Sequence, residues 1–334
     1  MAANTTNVVC VGAVYIDTIW TVPYFPLEDT KLRAQKVIRR RGGNTANTLE
    51  VLSDILAHAP TENETELHLI AILPDEKSQD TALIRASLPG VNVAGLFRAG
   101  HQNAASSMII QSRRDNTRTI VSHGGDLPEV TCEEFVSKFR ATVPETQVKT
   151  WVHFEGRVPA VTAACVKALR AMESRECMVS LECEKPDRKG LEFAAVLADV
   201  VFFSRLWAQE MYGIVHDPLV FLKKELGGVE YTRPNVVLVC TWGAKGAAAV
   251  RLSDKPDKHE WAKVEDVWRP PGDPEAQVVD TVGAGDTFIA GMLYGLINQP
   301  DTTLLSKLQY AVQIASRKVY QDGFQGLGSA MHSA

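Results

Sequence analysis

The sequence is poor in cysteine and contains no pair spaced as Cys-x-x-Cys. Six cysteines in 334 residues are too few for a disulfide-stapled secreted fold, and the missing pairs exclude the common zinc and dithiol motifs. Most of them lie inside apolar runs, so we expect buried free thiols in a cytoplasmic protein. The six are Cys10, Cys132, Cys165, Cys177, Cys183 and Cys240.

Long apolar runs and a strong excess of one charge are also absent. No apolar run reaches the roughly 18 residues of a membrane-spanning helix, and the first residues lack the pattern of a signal peptide. There are 35 basic and 40 acidic residues, which gives a net charge of −5. We therefore expect no nucleic-acid partner and no membrane partner. We interpret the basic run Arg39-Arg40-Arg41 as a solvated sheet edge.

The common nucleotide-binding motifs are missing as well. The sequence has no Gly-Lys-Ser or Gly-Lys-Thr, which a P-loop requires, and neither the His-Arg-Asp nor the Asp-Phe-Gly set of protein kinases. Phe288 stands where a dinucleotide fingerprint would place its third glycine. Any nucleotide site must therefore be built in another way.

Apolar, β-branched runs alternate with helical patterns along the chain. Continuous apolar runs are typical of strands that are buried on both faces of a parallel sheet. The alternation predicts βα units and an α/β fold whose sheet is covered on both faces. The predicted strands are Val8–Val14, Leu67–Leu73, Trp151–Phe154, Met178–Leu181, Val200–Phe203 and Val236–Cys240, and the predicted helices include Thr45–His58, Val161–Met172 and Ile289–Asn298.

Two segments interrupt this alternation. Asp17–Arg41 contains short polar or alternating strands around a proline-containing turn. Ser106–Gln111 and Arg118–Ser122 flank a polar turn and form a predicted hairpin. The two pieces could build a small antiparallel sheet that projects from the main body, or they could be edge strands of the main sheet. The residues alone leave both arrangements open.

The strongest chemical signal is the run from Asp280 to Asp286, DTVGAGD, which opens an apolar helix. A Gly-Ala-Gly turn at a helix start leaves main-chain N–H groups unpaired and pointing outward, and the helix dipole makes them an anion site. Asp286, in the first helical turn, is placed to accept a proton from a hydroxyl that attacks a bound phosphate. The alternative is that Asp286 is an ordinary helix-start residue and that the glycines form an ordinary tight turn.

Polar residues at two further places suit a polyhydroxylated ligand. In the run Gly42-Gly43-Asn44-Thr45-Ala46-Asn47, Asn44 and Asn47 share one face near a helix start, and their amides offer donors and acceptors. Asp17 follows the first buried strand, where α/β proteins keep their ligands. The alternatives are that Asn44 caps its helix and that Asp17 is a turn residue.

The GGNxxN and DTxGAGD motifs together resemble the ribokinase-like carbohydrate kinases, the PfkB family. Further stretches, in order from about residue 8 to 328, are most similar to the ketohexokinase branch of that family; they include Val152–Arg157, Glu182–Pro186 and Gln321–Phe324. The resemblance implies a Rossmann-like three-layer α/β/α fold with a small protruding antiparallel β-sheet lid. It places the kinase body at residues 1–16, 42–104 and 124–334, and the lid at 17–41 and 105–123.

The resemblance also implies a function, ATP-dependent phosphorylation of the fructose 1-hydroxyl. Asp286 matches the catalytic base, and Gly283, Ala284 and Gly285 match the anion hole for the transferring phosphate. The sugar-binding positions are Asp17, Gly43, Asn44, Asn47 and Asp286, with Asp29 as a lid carboxylate that reaches the partner subunit's sugar. The ATP-binding positions are Arg118, Thr241, Gly243, Ala244, Lys245, Gly246, Gly283 and Gly285.

Cofactors and partners follow from the same resemblance. Mg²⁺ should arrive with the nucleotide and keep most of its waters, so we expect no dedicated metal-ligand set. Glu182 and Glu184 face the same side of a strand; one of them could touch water on that Mg²⁺, or they could form a structural salt bridge with Lys185. Some relatives bind a monovalent cation such as K⁺ near the GAGD turn. A homodimer through the lid is expected, with sugar and ATP as the small-molecule partners.

Departures from the family pattern concern the acceptor. Ser204–Trp207 lacks the Asn and Glu of the NxxE motif, which favours a ketohexokinase over a ribokinase. Ala71 and Pro74–Lys77 replace a glycine-containing turn that lies near the sugar in relatives. Two alternatives therefore stay open: a kinase of ribose, a nucleoside or another small polyol, and a non-catalytic sensor that retains the fold.

Overall fold

The computed structural model describes residues 5–59, 64–115, 117–143, 149–172, 177–273 and 275–332. The strands are β1 Thr6–Val11, β2 Tyr15–Val22, β3 Lys36–Gly42, β4 Thr65–Leu73, β5 Val91–Phe97, β6 Ala105–Ser112, β7 Thr117–His123, β8 Lys149–Phe154, β9 Cys177–Cys183, β10 Val200–Phe203, β11 Val237–Thr241, β12 Ala247–Arg251 and β13 Glu260–Val264. The α-helices are α1 Asn44–His58, α2 Gln79–Ala86, α3 Cys132–Thr142, α4 Pro159–Arg170, α5 Glu192–Ala195, α6 Arg205–Tyr212, α7 Pro218–Gly228, α8 Ala284–Asn298, α9 Leu304–Lys318 and α10 Leu327–His332.

A large sheet forms the middle layer of the fold. Across the described residues its nine strands run in the order β13-β12-β11-β10-β9-β8-β1-β4-β5. The strands from β11 to β5 are parallel, and β12 and β13 are added antiparallel at one edge. The predicted buried runs therefore all lie in this sheet.

The apolar runs are continuous because helices cover both faces of the large sheet. Alternate residues of β1 enter opposite cores: Val8 and Cys10 pack on the side of α1, α8 and α9, whereas Val9 packs on the side of α3 and α4. A strand with both faces buried requires apolar residues at every position. The prediction of a three-layer α/β/α fold is confirmed.

The two irregular segments form a separate small sheet in the order β3-β2-β6-β7. The pairs β2–β3 and β6–β7 are antiparallel hairpins, as predicted, whereas the central pair β2–β6 is parallel. The central pair is parallel because β2 follows β1 and β6 follows β5, and both β1 and β5 end at the same edge of the large sheet. The sheet therefore consists of two hairpins set side by side.

The interpretation of Arg39-Arg40-Arg41 as a solvated edge holds only in part: β3 is an edge strand of the small sheet and Arg39 is exposed, but Arg40 is half-buried and Arg41 is buried. Each guanidinium binds a carboxylate outside the small sheet: Arg39 binds Asp80 at 2.5 Å, Arg40 binds Asp280 at 3.4 Å, and the buried Arg41 binds Glu50. Consecutive strand residues point to opposite faces, so these bonds hold β3 from both sides. The run fastens the small sheet to the rest of the protein.

Two other expectations concern burial. Five of the six cysteines are buried and Cys132 is half-buried, and all six are free thiols, as predicted. Within the part of the chain that the structure describes, no helix is long and apolar enough to cross a membrane.

Candidate active site

A cavity of about 560 Å³ lies between the carboxyl ends of the large-sheet strands and one face of the small sheet. The starts of α1 and α8 form a third wall. The cavity therefore brings together residues that are far apart in the sequence. The predicted site residues that line it are Asp17, Gly43, Asn44, Asn47, Arg118, Thr241, Gly283, Gly285 and Asp286.

The start of α1 depends on a glycine. Gly43 is the N-cap residue with φ 108°, and a Cβ atom there would collide with the main-chain oxygen of Ala13. No side chain caps this helix, so the alternative role of Asn44 as its cap is wrong. Instead the Asn44 amide nitrogen lies 3.3 Å from Glu182 Oε2 and 3.5 Å from Glu184 Oε2. Asn44 is thus part of the cavity wall.

Asp286 is buried at the start of α8, with 6% of its surface exposed. Its Oδ2 accepts a hydrogen bond of 2.7 Å from the Asn47 amide. Burial raises the pKa of Asp286 to about 7; Glu184 and Glu155 add to this, while the Asn47 hydrogen bond and Arg41 oppose it. A carboxyl with a pKa near neutrality can take up and release a proton under physiological conditions.

Gly283, Gly285 and Asp286 of the GAGD turn line the cavity at the start of α8. Gly283 is the N-cap of α8 with φ 80°, a conformation that favours glycine, and no side chain caps the helix. A Cβ atom at Gly285 would meet nothing within 4 Å, so the turn is open on the cavity side. The first turn of a helix has N–H groups without partners inside the helix, and together with the helix dipole they suit an anion such as phosphate.

Basic side chains hold the segment that leads into this turn. Arg118, on β7 of the small sheet, donates a hydrogen bond to Thr281 Oγ1. The carboxylate of Asp280 binds Arg40 at 3.4 Å and Lys318 at 3.0 Å. Burial would raise the pKa of Asp280, but Lys318, the Val282 N–H and Arg40 hold it below its usual value. The turn is therefore tied both to the small sheet and to α9.

The loop after β11 reaches the same cavity through Thr241. Gly243, Ala244 and Lys245 are exposed and form a single 3₁₀ turn. Gly246 closes this turn with φ 82°, and a Cβ atom there would strike the main-chain oxygen of Val264. Trp242 is buried under the loop, where it packs rather than lining the cavity.

Asp17 lies within β2 rather than in a turn, which excludes the alternative of a turn residue. It is buried, and its carboxylate packs against the main chain of Gly42, where a Cβ atom would collide with it. Burial raises the pKa of Asp17, while the Ser107 hydrogen bond, Arg40 and Arg41 lower it. A buried carboxylate at the wall of a cavity can accept hydrogen bonds from ligand hydroxyls.

Six predicted site residues do not line the cavity, namely Gly243, Ala244, Lys245, Gly246, Ala284 and Asp29. Of these, Asp29 lies farthest in the sequence from a residue that does line it. It lies exposed in the β2–β3 connection with φ 57°. Within one copy of the chain it therefore has no part in the site.

Glu155 and Arg157, which follow β8 directly, are not among the predicted site residues. Buried Glu155 accepts hydrogen bonds from the Ala13 N–H at 2.8 Å and from Arg157 Nε at 3.2 Å. Arg157 lines the cavity and donates to the Tyr15 hydroxyl at 2.7 Å. The sequence does hold a signal for them: charged residues directly after a buried apolar strand lie at the carboxyl edge of the sheet, where α/β proteins bind their ligands.

A second, smaller cavity of about 160 Å³ lies on the other side of Tyr15 and Arg157. Ala71, one of the departures from the family pattern, lines this cavity and not the larger one. The Pro74–Lys77 segment lines neither. These departures therefore do not alter the wall of the main cavity.

Glu182 and Glu184 are the carboxylates that could interact with a divalent cation in the cavity. Both line the cavity, and burial together with Glu184 raises the pKa of Glu182. Glu184 forms an ion pair of 3.5 Å with Arg188 rather than with Lys185. Among the described residues no group of three or more His, Cys, Asp or Glu side chains could hold a metal ion. Two carboxylates fit a nucleotide-bound Mg²⁺ ion that keeps most of its waters, because they can accept hydrogen bonds from those waters.

Comparison with known proteins gives a family match and relatives of the full length. The family model described as pfkB family carbohydrate kinase matches residues 5–327. Ketohexokinase from Mus musculus is 28% identical over 326 residues, which cover 96% of this chain and 98% of that protein.

Solved structures of the same fold extend along the whole chain. Ribokinase from Giardia lamblia superposes with a TM-score of 0.75 at 16% identity and covers 98% of this chain and 99% of its own. Arabidopsis thaliana ribokinase, solved with ribose and ATP, gives a TM-score of 0.68 at 17% identity and covers 100% of this chain and 98% of its own. Both likenesses concern the fold.

Proposed function

Since the chain belongs to the pfkB family of carbohydrate kinases, we propose that it transfers the terminal phosphoryl group of ATP to the 1-hydroxyl of fructose. The family assignment makes it a phosphotransferase with an alcohol acceptor. The choice of a ketohexose is supported by the similarity to mouse ketohexokinase. The proposal depends on one observation: Asp286 lines the cavity at the start of α8 and is held there by a hydrogen bond from Asn47 on α1.

In this proposal Asp286 is the general base. As the sugar oxygen attacks the γ-phosphorus, its proton passes to the Asp286 carboxylate, and the bond between the γ-phosphorus and the bridging oxygen of ADP breaks. A pKa of about 7 makes the carboxylate a competent acceptor at neutral pH. The Asn47 hydrogen bond fixes the orientation of the carboxyl group.

The GAGD turn then stabilises the charge on the transferring group. Main-chain N–H groups at the start of α8, next to Asp286, would donate hydrogen bonds to phosphate oxygens, for which the open side of Gly285 leaves room. Arg118 lines the cavity from the small sheet and binds Thr281 beside the turn, where its guanidinium can contact the ATP phosphates. Thr241 and the turn at Gly243, Ala244, Lys245 and Gly246 would contact the nucleotide.

The sugar lies on the other side of Asp286 in this scheme. Asp17, Asn44 and Asn47 line that part of the cavity together with Gly43, and all three side chains can hydrogen bond to hydroxyl groups. The Asn47 amide also serves the protein, because its oxygen accepts from Arg41 at 2.6 Å and its nitrogen donates to Asp286. Asn47 would therefore contact the sugar and at the same time hold the carboxyl group of the base, Asp286, in place.

The Glu182 and Glu184 carboxylates would hold Mg²⁺ through its bound waters. When bound, the ion neutralises phosphate charge and orients the phosphate chain. Both carboxylates belong to this chain and line the same cavity as Asp286.

We propose that the small sheet, residues 17–41 and 105–123, is a lid on a body made of the remaining residues. One of its faces, with Asp17, Ile109 and Ile120, lines the cavity and would exclude water from it. The opposite face exposes the apolar side chains of Trp20, Val37, Met108 and Val121. A homodimer through this face would cover them and would bring the exposed Asp29 to the partner subunit's site.

The release of ADP with a panel of acceptors tests this function. The purified chain, ATP and Mg²⁺ are incubated with fructose, ribose or adenosine, and ADP is measured by a coupled assay. We expect turnover with the highest kcat/KM for fructose. A preference for ribose or adenosine would reassign the acceptor, and the absence of ADP release with every acceptor would indicate a sensor that only retains the fold.

A further inference from the structure

The oxygen atoms beside the GAGD turn already surround a cation that belongs to the chain. Lys318, the last residue of α9, is 0% exposed. Its Nζ lies 3.0 Å from the main-chain oxygen of Asp280, 3.0 Å from Asp280 Oδ2 and 3.3 Å from the main-chain oxygen of Gln321. A carboxylate and two carbonyl oxygens are also the kind of ligands that a monovalent metal ion takes.

A K⁺ ion does not fit among these oxygens while Lys318 is present. The ammonium group occupies the space between them, and a second positive charge at contact distance from it would be repelled. The expectation of a K⁺ ion near the GAGD turn therefore disagrees with the residues found at these oxygens. A positive charge does lie against Asp280, as expected, but it belongs to the Lys318 side chain and not to a bound K⁺ ion.

The ammonium group is connected to the anion site by short contacts. Asp280, which Lys318 binds, accepts a hydrogen bond of 2.9 Å from the Val282 N–H through its other oxygen, Oδ1. The N–H groups of Val279 and Asp280 donate to the main-chain oxygen of Val319 at 2.8 and 3.2 Å. These bonds fix the segment that delivers Gly283 to the start of α8.

An aromatic ring completes the connection. The centroid of the Phe324 ring lies 5.4 Å from Lys318 Nζ, and the same ring packs directly against Gly283, where a Cβ atom would collide with it. A cation beside an aromatic ring in a buried place interacts with it favourably. Lys318, Phe324 and Gly283 therefore form one packed unit under the turn.

Resting on the proposed function, we propose that Lys318 is a positioning residue whose tethered ammonium takes the place of a monovalent cation at the Asp280 turn. The enzyme would then need no K⁺ for phosphoryl transfer. The role belongs to Lys318 in particular, because the other fully buried lysine, Lys307, binds the oxygens of Pro300 and Thr302 about 16 Å away along α9.

Replacement of Lys318 tests the proposal. The kcat of the wild type is measured in K⁺, Na⁺ and tetramethylammonium chlorides at equal ionic strength, and we expect differences below about twofold. Lys318→Met should lose about 100-fold in tetramethylammonium, because the turn loses its support. K⁺ or NH₄⁺ should restore on the order of tenfold by entering the emptied oxygen site. Lys307→Met is the matched control, because it also removes a buried lysine. Its kcat should not rise with any of the cations.

A second readout does not depend on catalysis. The midpoint of thermal unfolding is measured without sugar or nucleotide, and K⁺ or NH₄⁺ should raise that of Lys318→Met by about 2 °C or more over tetramethylammonium. The wild type and Lys307→Met should show no such rise. This result can be obtained even if no sugar is phosphorylated, so failure of the proposed function and failure of this inference are distinguishable.

Two results would overturn the inference. One is a wild type whose activity or unfolding midpoint rises with K⁺; the other is a folded Lys318→Met protein that no cation affects. Should Lys318→Met fail to fold, the wild-type comparison decides alone, because independence of K⁺ supports the inference and activation by K⁺ contradicts it.

Discussion

The Asn47 amide nitrogen lies 2.7 Å from Asp286 Oδ2, although 239 residues separate the two in the sequence. This hydrogen bond joins the first turns of α1 and α8, the helices that follow the two glycine-rich motifs. It also fixes the carboxyl group that we propose as the base. The two motifs therefore act as one site in the folded protein, and their joint position can be tested.

Asp286→Asn should stabilise the protein at pH 8. Because burial raises the pKa of Asp286 to about 7, the folded state holds a proton between pH 4 and 7 that the unfolded state has lost, and stability falls as the pH rises through this window. A neutral amide removes this penalty and can still accept the Asn47 hydrogen bond. We expect the free energy of unfolding in urea at pH 8 to rise by a few kcal/mol. The exposed Asp126→Asn is the control; equal effects of the two would contradict the burial argument.

The dependence of kcat on pH should report the same carboxyl group. At saturating sugar, kcat should rise about tenfold per pH unit below pH 7 and level off above it, because the base must be ionised. Asn47→Ala should move the midpoint to higher pH, because the Asn47 hydrogen bond lowers the pKa of Asp286. Asn44→Ala, on the same helix but in contact with Glu182, should leave the midpoint in place. An unchanged midpoint in Asn47→Ala would show that another group titrates.

Arg118→Gln should weaken the use of ATP. Arg118 lines the cavity from the small sheet and binds Thr281 beside the anion site. Loss of its charge should raise the KM for ATP about tenfold with a smaller change in the KM for sugar. Arg114→Gln, in the hairpin turn and paired with Asp115, is the control and should behave as the wild type. Steady-state kinetics with each substrate varied in turn make the comparison.

The apolar outer face of the small sheet predicts self-association. Val121 is 64% exposed on that face, and a charge there would be buried without a partner in a dimer. Val121→Glu should therefore halve the mass that sedimentation equilibrium measures at micromolar concentration. Phe193→Glu, a similarly exposed apolar position on α5, should leave the mass unchanged. A wild type that sediments as a monomer would contradict the dimer.

The alternation of strands and helices could be predicted because each apolar run forms its own strand. Val8–Val14 and Val236–Cys240 needed only local pattern, and both predict strands of the large sheet. The second strand is shifted by one residue, whereas the first begins two residues earlier and ends three residues earlier than predicted. The parallel β2–β6 pair could not be predicted in this way, since it depends on where two distant strands leave the large sheet.

The site residues that could be predicted from the sequence include those whose main-chain conformation requires glycine. Gly43 and Gly283 adopt positive φ angles at helix starts, so their glycines are visible as motifs. The ion pairs of the arginine run were not predicted, because the carboxylates that bind it, Asp80 and Asp280, are distant in sequence. Glu155 and Lys318 were missed for the same reason, since their roles follow from three-dimensional contacts with the turns.

The transfer of radiolabel from [γ-³²P]ATP to fructose, measured at pH 8 with Mg²⁺ for the wild type and for Asp286→Asn, tests the central claim most directly. We expect label in fructose phosphate with the wild type and a loss of at least about 100-fold with Asp286→Asn, while the affinity for ADP by calorimetry is retained. An Asp286→Asn protein that labels fructose at the wild-type rate would contradict the account.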